Sequence, residues 1–238
     1  HVDGRMVESD CRPFRDVGDL LRRTIVARPV AEALAHAGAF DALGDTNRRG
    51  HLYEAITVEA PREGDQLTLA DASVTAHAFA DYTDAEVVKA ELDVLGLDAT
   101  RHLVSFFEPL LRDLGVTRAQ DLPSKRHGAW VMVAGVKIAS QTPAIRSGQR
   151  IIFLTLDDAT GPNEVKVFES VQRKVARTVF HAYALAVWGQ LRRTGVKGVS
   201  IIAEEVWDLT ALHLARREGR LREAMAALPN TNAVLALL

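Results

Sequence analysis

Asp157 and Asp158 are the residues of this 238-residue chain that most readily suggest chemistry, because clustered carboxylates are what two-metal sites are made of. They end the run IIFLTLDD (151–158), which alternates as a strand does, so the two neighbours point to opposite faces and make a poor cluster. They also precede the turn ATGPN (159–163), a place where Asp commonly forms the turn. No catalytic role is expected of them. The 8 His are scattered without an HExxH or Cys/His set, and His181, near a strand start, reads as structural. A single Cys, Cys11, rules out an internal disulfide and a multi-Cys metal site and fits a reducing cytoplasm. Neither a GxxxxGK[ST] loop nor a GxSxG elbow is present. The expectation is no catalytic residue, no cofactor and no metal in this chain.

Charge distribution is the better signal. The net charge is only −2, yet residues 1–124 hold 13 Lys+Arg against 22 Asp+Glu, and residues 125–200 hold 12 against 4. Such segregation makes either a nucleic-acid footprint or a basic face that docks onto acidic parts of the same chain. The basic region contains five runs rich in apolar and β-branched residues: 129–140, 151–158, 164–168, 182–193 and 199–206. A helix-sized segment, ESVQRKVARTVFH (169–181), separates the third from the fourth. Five strands with that insertion predict a small, partly open barrel of the OB type, with a Greek-key sandwich fragment as the competitor.

In OB barrels the sheet around strands 2 and 3, with the loops between strands 1–2 and 4–5, binds oligonucleotides. The first loop here carries Arg146 and Arg150; the second is bordered by Arg192 and Arg193 and includes Lys197. Gly148, Gly195 and Gly198 allow tight turns or close backbone approach there. Parity places Ile152, Leu154, Leu156, Val165 and Val167 inside, and Phe153, Lys166 and Phe168 outside. Phe153 and Phe168 are then candidate stacking platforms beside Lys166. Trp188 shares parity with Gln190 and Arg192. For each aromatic, packing under a neighbouring helix is an equal alternative. Arg173, Lys174 and Arg177 on the inserted segment extend the basic field.

The remaining elements are helical. Residues 16–26, a second segment restarting at Pro29, and RRGHLYEAI (48–56) read as helices, with Ala-rich packing between them. Residues 59–78 read as an irregular linker. Thr83 and Glu86 form a capping box for a helix with an apolar stripe of Val87, Val88, Leu92 and Leu95, stopped by Gly96. Residues 103–114 repeat the pattern, with Leu103, Phe106, Phe107, Leu110 and Leu114 expected inside, Pro109 marking a break and Gly115 the stop. LPSKRH (122–127) is the hinge into the barrel, 209–229 is helical with a break near Gly219, and the apolar end TNAVLALL is expected to pack back. The fold class is α+β.

The stretch VAGVKIASQTPAIRSGQRIIFLTLDDATGPNEVKVFE (133–169) resembles the OB domain of bacterial C-family DNA polymerases, the family of the DNA polymerase III alpha subunit. VFHAYALAVWGQLRRTGVKGVSI (179–201) resembles the error-prone, damage-tolerant branch of that family in its actinobacterial form. VAEALAHAGAFDALGDTNRRG (30–50) is similar to the family's helix-hairpin-helix region, and AELDVLGLDATRH (90–102) to its connector, although Leu103 stands where a Pro commonly follows the connector His. The resemblance implies a helix-hairpin-helix-like module at 1–58, a linker at 59–82, a helical connector at 83–124, an OB domain at 125–206 and a helical tail at 207–238. It implies a non-catalytic, C-terminal, DNA-handling region of a translesion polymerase, inactive alone because the palm carboxylates and their Mg²⁺ lie elsewhere in the parent enzyme. The OB domain would hold single-stranded template, and primer–template duplex is a further expected partner. Gly38 and Arg48 would contact a duplex phosphate through the hairpin turn, with a purely structural connector as the alternative. The other functional reading is a module that recruits accessory translesion proteins or a sliding-clamp adaptor, and a third is a tRNA-binding appendage. A bacterial cytoplasmic location, with no membrane contact, is expected, since no apolar run is long enough to span a bilayer.

Overall fold

In the computed structural model of the chain, residues 12–57, 79–143, 150–194 and 198–227 are described. Two compact units divide the chain, His1–Arg101 and His102–Leu238. The expected linker at 59–78, the apolar C-terminal end and Cys11 lie outside the described residues.

The first unit is helical: α1 (Val17–Arg23), α2 (Arg28–His36), α3 (Arg48–Thr57) and α4 (Asp84–Leu95). Its core is Val17, Leu21, Ala31, Ala35, Phe40 and Ala55. Asp16 caps α1 by accepting the Asp19 N–H at 2.6 Å. Helix α4 starts with the expected capping box, Thr83 with Glu86, and ends at Gly96 in the left-handed region. Its inward face differs from the apolar stripe read from the sequence: Val88 is buried, Leu95 is exposed, and the other fully buried side chain is Glu91. The Glu91 carboxylate accepts the N–H groups of Ala99 and Thr100, both at 2.9 Å, and the Thr100 hydroxyl. Burial alone would raise its pKa, but the Thr100 and Ala99 donors and nearby Arg48 outweigh it and hold the carboxyl below its ordinary value. The 2.7 Å pair Arg49–Glu86, with Arg48 3.8 Å from Glu91, ties 83–101 into the helical unit. The segment read as one connector, 83–124, is therefore divided at Arg101/His102.

The second unit begins with a 3-10 turn, Leu103–Phe107, and α5 (Glu108–Asp113), with Pro109 accommodated in the first helical turn and Gly115 following. Val104, Leu110, Leu111 and Leu114 are buried there, whereas Leu103, Phe106 and Phe107 are only partly so. A further 3-10 turn, Ala119–Ser124, leads into β1 (Trp130–Gln141), β2 (Ile152–Asp157) and β3 (Pro162–Val167). Helix α6 (Glu169–His181) intervenes before β4 (Ala184–Thr194) and β5 (Gly198–Asp208). Helices α7 (Leu209–Arg217) and α8 (Leu221–Ala226) close the described chain, with Gly219 between them as expected.

The strands form a closed barrel in the order β1-β2-β3-β5-β4, not the partly open one expected. Closure comes from β1, which is long enough to pair with β4 through Trp130–Val136 and with β2 through Val136–Gln141. The lumen holds Ile152, Leu154, Leu156, Val165, Val167, Leu185, Val187, Leu191 and Ile201, and α6 plugs it with Val171, Val175 and Val179. A second core lies outside the barrel, where Met132, Ala134, Val136, Ala186, Trp188 and Trp207 pack against Leu110, Leu111, Leu209, Leu212 and Met225.

Candidate nucleic-acid interface

Because the lumen takes one parity of each strand, the other parity faces outward. The pairing register then links outward residues strand to strand, one on each of β2 to β5 and one at either end of β1. Trp130 on β1 pairs with Gln190 on β4, Gln190 with Ile202 on β5, Ile202 with Lys166 on β3, Lys166 with Phe153 on β2, and Phe153 with Gln141 at the far end of β1. None of these six is buried. Directly opposed residues are about 5 Å apart; because the barrel is closed, the six positions step once around it and return to β1, and the stretch that shares a surface is the run of neighbours Ile202, Lys166, Phe153 and Gln141. It crosses a shallow cavity of about 340 Å³ lined by Ala139, Gln141, Pro143, Phe153, Thr155 and Glu164. An aromatic ring, an apolar side chain and a cation in such a row suit unpaired bases and the phosphates between them.

The predicted residues divide sharply. Phe153 and Lys166 are brought face to face, as their parity required. Lys166 forms no ion pair among the described residues. Arg150 is exposed beside β2, and its carbonyl accepts Gln172 Nε2 at 2.6 Å, which fastens the start of β2 to α6. Arg192 is exposed and lies two residues beyond Gln190 on the same face of β4. Arg193 is committed elsewhere: its guanidinium donates to the Lys125 carbonyl at 3.1 Å and to that of Pro123, clamping 123–125 onto β4. Arg146, Lys197, Gly148 and Gly195 lie outside the described residues. At Gly198 a Cβ would stand 2.4 Å from the Thr194 carbonyl oxygen, so the close approach expected of this glycine is real.

Phe168 departs from its expected place. The strand ends at Val167, and Phe168 is the N-cap residue of α6, its carbonyl accepting the N–H of Val171 at 2.9 Å. It is half-buried at the corner between β3 and the helix. Trp188 belongs to the outer core at 9% exposure, so the packing alternative holds for it. Trp130 is the aromatic the sequence reading passed over. It is 51% exposed and stacks on Trp188, with ring centroids 5.8 Å apart and planes at 16°. Only the β1–β4 pairing sets it opposite Gln190; its parity in AWVMVAG was the one available signal.

Asp158 is fully buried and is a structural hub. It accepts the Ala119 N–H at 2.7 Å, the Thr160 N–H at 2.9 Å and the Asn163 side-chain amide at 3.2 Å, joining the β2–β3 turn to the segment before β1. Asp157 accepts the Ala159 N–H at 2.9 Å. These are the turn-forming roles expected. Among the described residues no three His, Cys, Asp or Glu side chains converge to hold a metal ion.

Gly38 and Arg48 form a different kind of site from the one proposed for a hairpin. Gly38, at φ +80°, terminates α2 in a Schellman arrangement, with its N–H on the Ala35 carbonyl and that of Ala39 on Leu34. Those donors are used within the chain. The Arg48 side chain lies across Gly38 at 12% exposure, held by Asp41 at 2.8 Å, with Glu91 at 3.8 Å. Both residues thus stabilise the helical unit, in keeping with the structural-connector alternative.

The family model described as an OB-fold nucleic acid binding domain matches residues 129–209, the barrel. Over most of its length the chain is similar to proteins named error-prone DNA polymerase. The relative from Symbiobacterium thermophilum is 32% identical over 209 residues, covering 76% of this chain and 19% of the relative. Error-prone DNA polymerase 1 of Rhizobium meliloti is 31% identical over 216 residues, covering 87% and 19%. The relative from Alkalilimnicola ehrlichii is 34% identical over 185 residues, covering 77% and 18%. The chain thus spans about a fifth of the length of these curated relatives. Among the described residues no helix is long and apolar enough to cross a membrane.

Proposed function

We infer that this chain, whose homologues at about 30% identity are error-prone DNA polymerases, is the DNA-handling, C-terminal part of such an enzyme, and that its barrel holds single-stranded template. One observation carries the reading: the outward neighbours Ile202, Lys166, Phe153 and Gln141, which set Phe153 beside Lys166, with the exposed Arg150 just before β2. Bases stack on the rings while the cations meet phosphates, and neither contact selects a sequence. That suits a module that must accept any template, damaged ones included. Nucleotide addition belongs to the remainder of the parent protein, and no step through a metal is assigned to these residues. The whole enzyme acts in the bacterial cytoplasm in translesion synthesis.

The test is fluorescence anisotropy of a labelled oligonucleotide over a salt series. Binding by the parent chain should weaken with salt at about 0.7 logarithmic units per phosphate contacted. Replacing Arg146, Arg150 and Arg192 with Ala should flatten that slope for all sequences alike. An unchanged slope and affinity would instead favour the barrel as a docking module for accessory translesion proteins or a sliding-clamp adaptor. Primer extension by the purified chain should be absent.

A further inference from the structure

Helix α6 plugs the barrel with Val171, Val175 and Val179, and its opposite face is exposed at Arg173, Lys174, Arg177, Phe180 and His181. Arg173 and Arg177 form no ion pair among the described residues. A solvated helix face explains the cations but not what stands at their end. Phe180 is 53% exposed, Tyr183 55% and Ile138 59%. Lys137 gathers these three: its Nζ donates to the Phe180 carbonyl at 3.1 Å, its N–H donates to the Tyr183 carbonyl at 2.8 Å, and Ile138 is its neighbour in a register break of β1. Burial pushes the Lys137 ammonium pKa down.

The start of this face adjoins the outward row. Gln172 on α6 donates both to the Arg150 carbonyl at 2.6 Å and to the Val167 carbonyl at 2.9 Å, and Phe168 turns the corner from Lys166 into the helix. Along the helix, Arg173, Arg177 and Phe180 recur at helical spacing on one side. With a rise of about 1.5 Å per residue they cover about 10 Å, the length of roughly two nucleotides. We propose that single-stranded DNA leaving the row at Lys166 continues past Phe168 along α6, its phosphates on Arg173 and Arg177 and its bases against Phe180 and Tyr183. The inference rests on the reading of the barrel as a single-strand binder. Cations followed by separate rings, and continuity with Lys166 through Phe168, favour a nucleic acid over an acidic protein segment, which would want one contiguous apolar groove.

The experiment uses the full chain and labelled oligothymidylates of about six and about sixteen nucleotides, within the range of site sizes known for OB folds. The Arg173→Gln/Arg177→Gln variant should bind the short strand as the parent does. For the long strand its salt slope should fall by about 1.4, two phosphates at about 0.7 each. Phe180→Ala/Tyr183→Ala should weaken only the long strand, by about thirtyfold or more. Both rings are largely exposed, so folding should be kept; Phe180→Leu retains the apolar volume without the ring should truncation disturb it. Long-strand binding unchanged in these variants, while Phe153→Ala weakens the short strand, overturns the path along α6 and leaves the row standing. If Phe153→Ala weakens neither strand, the reading of the row fails and the continuous path fails with it. A polyglutamate peptide that binds the parent and is lost from the Arg variant, with DNA binding intact, assigns the face to an acidic protein and also overturns the proposal.

Discussion

The outer surface of the barrel has two halves built from the same strands. On one, Met132, Ala134, Ala186, Trp188 and Trp207 face outward and are covered by α5, α7, α8 and the Leu103–Phe107 turn. On the other, Gln190, Ile202, Lys166 and Phe153 face outward and are only half-buried, Gln190 donating to the Gly128 carbonyl at 3.1 Å. The change occurs within single strands. On β4, Trp188 is 9% exposed, Gln190 is half-buried two residues later and Arg192 is exposed two further on. Alternation thus decides inward from outward, but whether an outward side chain packs or stays available is decided by helices distant in the chain.

Truncating the covered half should have the largest effect. Trp188→Ala removes a large buried ring from the outer core and should cost about 3–5 kcal/mol of stability in a urea melt. A loss well below that range would mean that the outer core does not support the barrel. The other half should respond oppositely. Phe153→Ala should leave stability within about 0.5 kcal/mol yet cost about 1–3 kcal/mol in single-strand binding, with the salt slope kept. If it unfolds the chain instead, the contrast between the halves is lost.

The adjacent arginines sharpen the boundary. Arg192→Gln should lower the salt slope of binding by about 0.7 and leave the melt unchanged. Arg193→Gln should cost about 1 kcal/mol of stability, through the Lys125 and Pro123 carbonyls it leaves unpaired, with a smaller effect on the slope. Equal behaviour of the two in both measurements would show that the clamp is not a distinct role.

The smallest effect concerns Glu205, which pairs across from Trp188 at 3% exposure and has one carboxylate oxygen without a partner among the described residues. Burial, only partly offset by Lys174, raises its pKa. A carboxyl with a raised folded pKa binds more protons folded than unfolded, so its contribution is present below its unfolded pKa and lost as pH rises through the folded one. Glu205→Gln should therefore raise stability slightly at pH 7, by about 1 kcal/mol or less in a urea melt, and not at pH 4. A larger gain at pH 4 than at pH 7 would contradict the sign.

How much was legible follows from which forces are local. The capping box at Thr83, the break at Gly219, the strand parity of Ile152–Leu156 and the turn roles of Asp157 and Asp158 each depend on residues within a few positions, and each was readable. The apolar stripe of α4 misled because Glu91, apparently a surface charge, closes hydrogen bonds to Ala99 and Thr100 that only the folded loop supplies. Gly38 and Arg48 depend on the fold in a similar way, since a glycine turn followed by an arginine looks alike whether its donors meet a phosphate or, as with Gly38 and Ala39 here, internal carbonyls.

By itself the sequence determined the α+β class, the number and order of strands, the helix between β3 and β4, the basic character of the barrel and the outward placement of Phe153 and Lys166. All of these rest on periodicity, turn chemistry and charge, which are properties of short segments. Only the tertiary structure decided closure of the barrel, the loss of Trp188 to packing, the commitment of Arg193, and the alignment of Trp130, Gln190 and Ile202 with Lys166 and Phe153. Each of these depends on register between strands far apart in the chain, and register is set by how the whole hydrophobic interior is filled.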